Sequence, residues 1–422
     1  MKAGIVFPNL SDATTSLSPK ARLEEALGLA NAIDLEVIHS EIVNLKEIKP
    51  ATYFGKGYLA KLKTILEEQD AGLVIIDAGL TPIQQRNLEK ELGLKVIDRT
   101  ALILEIFGER AKTKEGKLQV ELAHLTYQRS RLVRSWTHLE RQRGGAGFLG
   151  GPGETQIELD RRIIDDKIIR IKKELEKVKN TRELQRNSRK KVPYPVVALV
   201  GYTNAGKSSI FNHITKAEVF AKDLLFATLD PTMRRIRLKS GREIILSDTV
   251  GFISDLPHEL VMSFRATLEE VLSADAVVHV RDISNADTSA QRKDVLSVLH
   301  NLGLKDIEHE DNYLELFNKI DLLEKGEKTK LKNQSKKEKG ICLTSAATGE
   351  GCDEFLLEVD KVLSINHKDF EASVDASDGK LISWIHAHAK VVSTKLKNKT
   401  LFFKIKIDDA NLGKLQAKLK QK

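Results

Sequence analysis

The chain has 422 residues, 41% of them hydrophobic and 30% charged, with a net charge of +8, enough for roughly two to four domains with real cores. No apolar run reaches the roughly 18 residues of a membrane span, and the apolar stretch before Pro8 is too short for a signal peptide. Two cysteines, Cys342 and Cys352, neither build a disulfide framework nor sit at metal-ligand spacing, so idle thiols in a reducing cytosol are expected.

The charge is uneven. Residues 110–191 carry 22 Lys and Arg against 11 Asp and Glu, and residues 371–422 carry 11 against 5, which leaves the remainder acidic. Two basic segments around such a core point to a polyanionic partner, most often a nucleic acid.

Over residues 1–109, the apolar runs AGIVF, LEVI, LVIID and LKVID alternate with amphipathic stretches such as Leu23, Leu27 and Ala30, or Leu59, Leu62, Ile65 and Leu66. Alternation of this kind predicts a small parallel α/β domain. TYFGKGYLAKL, residues 52–62, is a glycine-bracketed strand-to-helix turn. It lacks the full spacing of any phosphate loop and reads as an ordinary tight turn.

Residues 110–191 follow a different period. Leu118, Leu122, Leu125, Leu132, Trp136 and Leu139 fall on a 4-3 heptad interrupted by Arg129, and Ile164, Ile168, Ile171, Leu175 and Val178 repeat it. This predicts an antiparallel helical hairpin. Its connection, RQRGGAGFLGGPGETQ at 141–156, holds six glycines and one proline, with the glycine-rich tip at 144–153. A hairpin needs far fewer residues to turn, and glycine backbone can approach a ligand closely. Arg134, Arg141, Arg143, Arg161 and Arg162 are the candidate contacts to RNA phosphates.

A basic, proline-containing linker, RNSRKKVPYP, leads into residues 195–366. There VVALV, EIILSD, AVVHV, LELF and ICLTS are expected strands of a second α/β domain. Residues 371–422 predict a small α+β domain: a helix from Leu381 to Val391, a strand TLFFKIKI and a basic helix ANLGKLQAKLK, without a motif.

The chemistry is concentrated in the second α/β domain. GYTNAGKS comprises Gly201, Tyr202, Thr203, Asn204, Ala205, Gly206, Lys207 and Ser208. It follows a strand and opens a helix, as a phosphate-binding P-loop requires. Backbone N–H groups would meet phosphate oxygens, Lys207 the β- and γ-phosphates, and the Ser208 hydroxyl a Mg²⁺ ion. EIILSDTVG supplies Asp248, Thr249, Val250 and Gly251. A carboxylate at a strand end can hold Mg²⁺ through water, and Gly251 can present its N–H to the γ-phosphate. Between them LLFATLDPTMRRI suggests a flexible loop in which Phe226, Ala227, Thr228, Leu229 and Asp230 close on the nucleotide. Thr228, preferred over Thr232, is the second metal ligand. Lys207, Thr228 and Gly251 are the candidate catalytic groups.

FNKID contributes Asn318, Lys319, Ile320 and Asp321. A carboxylate at 321 can accept both N1–H and N2–H₂ of guanine, which adenine lacks; Asn318 braces the phosphate loop and Lys319 lies along the ring. TSAATGEG then offers Ser345, Ala346 and Ala347, with a backbone N–H toward guanine O6. Four motifs in this order predict a guanine nucleotide, GTP with Mg²⁺. The residue after Gly251 is Phe252, where Ras-like enzymes carry a water-orienting glutamine. Slow intrinsic hydrolysis follows, with alignment supplied by a partner. His258 reads as a capping or surface histidine rather than a substitute base.

GYTNAGKS, FATLDPT, DTVGF, NKID and the upstream GGAGFLGGPGETQIELDRR together resemble the HflX family of translational GTPases, over nearly the whole chain. The resemblance implies a monomeric cytoplasmic GTPase that binds the large ribosomal subunit and its rRNA. The helical arm would reach toward the peptidyl-transferase centre, and stalled or idle ribosomes would be split in the GTP state. Members are similar in carrying a hydrophobic residue at the position of Phe252. Rival readings are a ribosome-assembly GTPase with the same motifs, a nucleotide-regulated rRNA-binding module with incidental hydrolysis, and a P-loop kinase, against which NKID argues.

Overall fold

The computed structural model describes residues 1–10, 17–142, 152–189, 194–216, 225–226, 232–255, 270–365 and 367–420. The N-terminal unit is a four-stranded, all-parallel sheet of order β2-β1-β3-β4, from β1 (Lys2–Leu10), β2 (Glu36–Leu45), β3 (Leu73–Ile76) and β4 (Lys95–Asp98). These are the four predicted apolar runs. α1 (Pro19–Asn31) and α4 (Arg99–Arg110) bury Ala26, Leu29, Leu102, Ile103 and Phe107 against one face. α2 (Lys56–Glu68) and α3 (Pro82–Leu92) bury Leu59, Leu62, Leu66 and Leu88 against the other. Gly55 caps α2 at φ −75°, and the buried Tyr53 and Phe54 pin the turn before it. The TYFGKG segment is thus the tight turn expected.

The hairpin is α5 (Lys114–Gln142) and α6 (Pro152–Arg189). Leu125, Ile168 and Ile171 form its seam, with Leu118, Leu122, Ile164 and Leu175 packed around them. Arg129 breaks the heptad for a reason: its Nε forms an ion pair with Asp165 Oδ1 on the opposing helix at 2.8 Å. The connection is shorter than the sequence suggests, because helix continues through Gln142 and resumes at Pro152. Proline suits a first helical position, where its missing N–H has no helical acceptor to lose. Most of the glycine-rich tip, with Arg143, lies outside the described residues.

One carboxylate gathers several of the polar contacts between the arm and the N-terminal sheet. Asp98 caps α4 by accepting from the Ala101 N–H at 2.8 Å. It also accepts from the Tyr127 hydroxyl at 2.7 Å and from Arg131 at 2.5 Å, both on α5.

The second unit is a six-stranded mixed sheet of order β10-β9-β8-β5-β7-β6. Its strands are β5 (Val196–Gly201), β6 (Thr232–Arg237), β7 (Glu243–Asp248), β8 (Ala276–Asp282), β9 (Tyr313–Asn318) and β10 (Ile341–Leu343). Only β6, paired to β7, is antiparallel. β6 corrects the expectation of a loop running through TMRRI: an edge strand rich in arginine has no apolar run to announce it, and Thr232 is its first residue, paired with Asp248. α7 (Lys207–Thr215) and α8 (Cys352–Ile365) cover one face. The other face shares a continuous hydrophobic cluster with the N-terminal unit, joining Leu29, Ile103 and Phe107 to Val200, Tyr202, Phe226, Phe252 and Val295. Phe107 meets Phe226 edge-to-face at 4.6 Å.

The C-terminal unit is an antiparallel sheet, β11-β13-β12, with two helices on one face. It starts at β11 (His367–Asp375), earlier than residue 371, and includes β12 (Lys390–Lys397). α9 (Gly379–His388) ends before Val391, because KVVSTKLK joins the sheet beside β13 (Thr400–Asp408). α10 (Asp409–Lys420) closes the unit. Among the described residues, no helix is long and apolar enough to cross a membrane.

Candidate functional site

The site lies at the carboxyl ends of β5, β7 and β9, where α/β sheets present ligand crevices. β5 ends at Gly201, whose φ of +153° and position allow no side chain: a Cβ would stand 2.2 Å from the Val280 carbonyl oxygen. Asn204 and Gly206 take positive φ, +58° and +91°, and turn the chain into α7. The loop wraps Lys207, which is 6% exposed and donates to the carbonyls of Gly201 at 3.1 Å and Tyr202 at 2.8 Å. Burial pushes this ammonium down to about 8, with Asp248 pulling the other way.

Ser208 and Asp248 meet at the start of α7, the hydroxyl donating to Oδ2 at 2.7 Å. Two hard oxygen donors converge here, as a Mg²⁺ ion prefers. Thr249 is turned back into the sheet, its hydroxyl donating to the Leu199 carbonyl at 2.6 Å. Gly251 lies against the phosphate loop, where a Cβ would approach Thr203 Cγ2 at 2.8 Å and Lys207 Nζ at 3.1 Å.

Phe252 does two separate jobs. Its backbone zips onto the loop: its N–H donates to the Gly201 carbonyl at 3.1 Å, and its carbonyl accepts from the Thr203 N–H at 2.7 Å. Its ring is 2% exposed, in the cluster shared with the N-terminal unit together with Tyr202, Val250 and Phe226. The side chain that replaces glutamine is therefore part of an interface core. Leu225 and Phe226, before the switch segment, join this core, but Ala227, Thr228, Leu229 and Asp230 lie outside the described residues, as does His258.

On the base side, Asn318 is a brace. Its Nδ2 donates to the Ala205 carbonyl at 2.8 Å and its Oδ1 accepts from the Ala346 N–H at 3.0 Å. One side chain thereby ties the phosphate loop to the TSAATGEG loop. The Ala346 N–H is thus engaged in the brace rather than aimed at a base oxygen. Lys319, at φ +65°, pairs with Asp282 at 2.7 Å. Ile320 is buried and Asp321 is exposed at the rim. Ser345 is fully buried, and its hydroxyl accepts from the Thr348 N–H at 3.2 Å, which shapes the turn containing Ala347.

A polar network that sequence reasoning missed backs the phosphate loop. The Tyr202 hydroxyl donates to Glu25 on α1 and accepts from the Ser254 N–H at 2.8 Å. Ser254 Oγ donates to Asp294 at 2.6 Å, and the Ser254 carbonyl accepts from Arg99 at 2.9 Å. Arg99 also pairs with Glu25, and with Asp77 at 2.6 Å; Arg22 pairs with Asp255 at 2.8 Å. Burial opposes the charge on Arg99, but Asp77 and Glu25 outweigh it, and the guanidinium is held more firmly cationic than usual. Burial, then Glu25, raises the Tyr202 phenol, which stays a neutral donor. Sequence offers one signal for this network, charged residues inside otherwise apolar stretches at 22, 25 and 99, and none for the pairing.

Cys342 and Cys352 are free; burial pushes Cys342 up to about 12, which leaves it inert. Among the described residues, no cluster of His, Cys, Asp and Glu could hold a metal by itself.

Residues 20–108 match the family described as GTP-binding GTPase N-terminal, residues 110–189 the GTP-binding GTPase middle region, and residues 196–319 the 50S ribosome-binding GTPase family. GTPase HflX of Magnetococcus marinus is 48% identical over 399 residues, covering 94% of this chain and 91% of that protein. GTPase HflX of Escherichia coli is 43% identical over 361 residues, covering 86% and 83%. Among solved structures, the complex of SsGBP with GDP aligns at 25% identity with a TM-score of 0.49, over 86% of this chain and 98% of that one.

Proposed function

The chain belongs to the HflX family of GTPases, and from that premise we propose that this GTP hydrolase binds the large ribosomal subunit in the cytosol. In its GTP state it splits or rescues stalled or idle ribosomes, and it takes its full hydrolytic rate from that contact. The observation that carries this is the arm. α6 has 38 residues, about 57 Å of helix at 1.5 Å per residue. The arm is clamped at Asp98 through Tyr127 and Arg131 of α5, and α6 exposes Arg161 and Arg162. A rigid, basic lever with a glycine-rich end suits a deep RNA-lined channel. Arg134 and Arg141 lie on the companion helix α5, and these four arginines, with Arg143, are the proposed rRNA contacts.

In this scheme the loop from Gly201 to Ser208 holds the phosphates, with Lys207 turned from its carbonyls onto the β- and γ-oxygens. Ser208, Asp248 and Thr228 would hold a Mg²⁺ ion, which would supply neutralisation of the phosphate charge during loss of the γ-group. Gly251 gives its N–H to the γ-phosphate, with Thr249 and Val250 setting its position. Asp321 reads guanine, Lys319 lies along the ring, Ile320 packs below it, and the Ser345–Ala347 turn closes the pocket. With the Ala346 N–H committed to Asn318, the donor toward O6 falls to Ala347. Because the Phe252 ring is committed to the interface core, the chain offers no side chain at position 252 to orient water. The large subunit supplies that order by arranging the switch segments.

The test is GTP turnover with and without purified large subunits, at two salt concentrations. A strong stimulation that fades with salt is expected. Equal turnover with and without subunits would overturn the scheme and favour a nucleotide-regulated binding module.

A further inference from the structure

The C-terminal unit has a sheet face that no other described element covers. Its order is strand, helix, strand, strand, helix, and the three strands stand in the order β11-β13-β12 with both helices on one side. The inward residues Ala372, Val374, Phe403, Ile405 and Ile407 are all at most 3% exposed. The outward residues form rows across the sheet: Asp375–Thr400–Lys397, Ser373–Phe402–Lys395 and Glu371–Lys404–Ser393. Phe402 stands in the second of these rows, on the central strand, 47% exposed.

An aromatic ring in water at the centre of an open sheet costs solubility and adds nothing to this core, which Phe403 already fills from the other face. Its neighbours are polar and basic, which disfavours an apolar protein partner. The two described carboxylates in these rows are engaged. Glu371 pairs with Lys404 at 2.8 Å, and Asp375 accepts from the Ser377 N–H and hydroxyl at 2.9 and 2.6 Å. Lys395 and Lys397 line the edge strand beside the ring, both exposed, and no described carboxylate pairs with either. A flat aromatic flanked on one edge by cations, on a twisted antiparallel sheet, is complementary to an unpaired nucleic-acid strand. The base stacks on the ring and the phosphates follow the lysines.

We propose that the outer face of this sheet is a platform for single-stranded RNA, with Phe402 stacking on a base and Lys395 and Lys397 contacting its phosphates. The platform is separate from the arm, and it does not depend on the large subunit being the partner.

The full-length chain is titrated with fluorescent twelve-nucleotide A and U RNAs, read by anisotropy at several salt concentrations. Phe402→Ala weakens binding of both roughly tenfold, as loss of one stacked base requires, whereas Phe402→Tyr keeps it. Lys395→Gln with Lys397→Gln lowers the slope of log affinity against log salt by about 1.4, some 0.7 per lost phosphate contact. Photo-crosslinking with 4-thiouridine RNA marks the β13 peptide containing Phe402. Circular dichroism and basal GTP turnover of all variants match the parent, since the substituted side chains are exposed and belong to a different sheet from the phosphate loop. Unchanged RNA affinity in Phe402→Ala, crosslinks confined to the arm, or a shift from dimer to monomer in Phe402→Ala, which would make a second copy the occupant, would each overturn the proposal. None of these readouts involves ribosomal subunits, so a failure here leaves the turnover test of the large-subunit scheme standing.

Discussion

The two halves of the nucleotide site are built on different principles. On the base side, everything that shapes the pocket belongs to the second α/β unit. Asn318 ties Ala205 to Ala346, and Asp321 stands exposed at the rim. On the phosphate side, the segment from Gly251 to Asp255 is held from outside that unit. Phe252 sits in a core shared with α1 and α4, and Ser254 and Asp255 are gripped by Arg99 and Arg22. In the proposed scheme the base side recognises guanine without contacts from the N-terminal unit. The phosphate side is packed and paired with that unit, whose Asp98 also holds the arm. On that scheme binding is local, while the response to the γ-phosphate is shared with the lever.

The largest test of this contrast is Arg99→Met. Removing the cation leaves Asp77 and Glu25 buried without it, and breaking one side of such a pair costs about 3–5 kcal/mol. Chemical denaturation should show a strongly lowered midpoint, while the affinity for GDP in native buffer moves far less. A midpoint equal to that of the parent would mean the network does not hold the two units together. If GDP affinity collapses in step with stability, the two sides are not separable.

Phe252→Gln sharpens the same contrast at smaller scale. The ring is 2% exposed, so the amide enters an apolar core without partners, a cost of about 2–4 kcal/mol. The substitution restores the residue type that orients water elsewhere, but at a side chain facing the interface. Single-turnover hydrolysis without subunits is expected to stay at or below the parent rate. A rise of tenfold or more would show that position 252 reaches the γ-phosphate after all.

What the sequence displayed and what it hid divide along similar lines. Local chemistry was legible. The P-loop, DTVG and NKID announce themselves because loop geometry and phosphate contact demand particular residues at fixed spacing, and the four N-terminal strands show as apolar runs. Edge strands were not legible. TMRRIR and KVVSTKLK satisfy their backbones by pairing while exposing polar side chains, so neither shows an apolar run. The Phe252 interface was hidden for a different reason. Its partners, Phe107 and Glu25 among them, are far away in the chain, and no spacing rule links residue 25 to residue 202. Position 252 was read from its place in a motif as a gap in the catalytic set, when its ring belongs to the packing between two units.

The smallest effect, and the sharpest in kind, belongs to the base side. In the proposed scheme Asp321 accepts two hydrogen bonds from guanine. Asp321→Asn replaces one acceptor with a donor, and loss of charged hydrogen bonds of this sort costs about 1.5–3 kcal/mol, roughly 10- to 100-fold in GDP affinity. Xanthine, which carries a carbonyl where guanine carries its amino group, matches the new donor, so xanthosine diphosphate should gain what GDP loses. Because Asp321 is exposed and braces nothing, the unfolding midpoint should stay within about 0.5 kcal/mol of the parent, in contrast to Arg99→Met. Calorimetric titration with both nucleotides measures the exchange. Unchanged GDP affinity would remove Asp321 from the pocket. A lowered midpoint would mean that the base side, too, is built into the fold rather than set upon it.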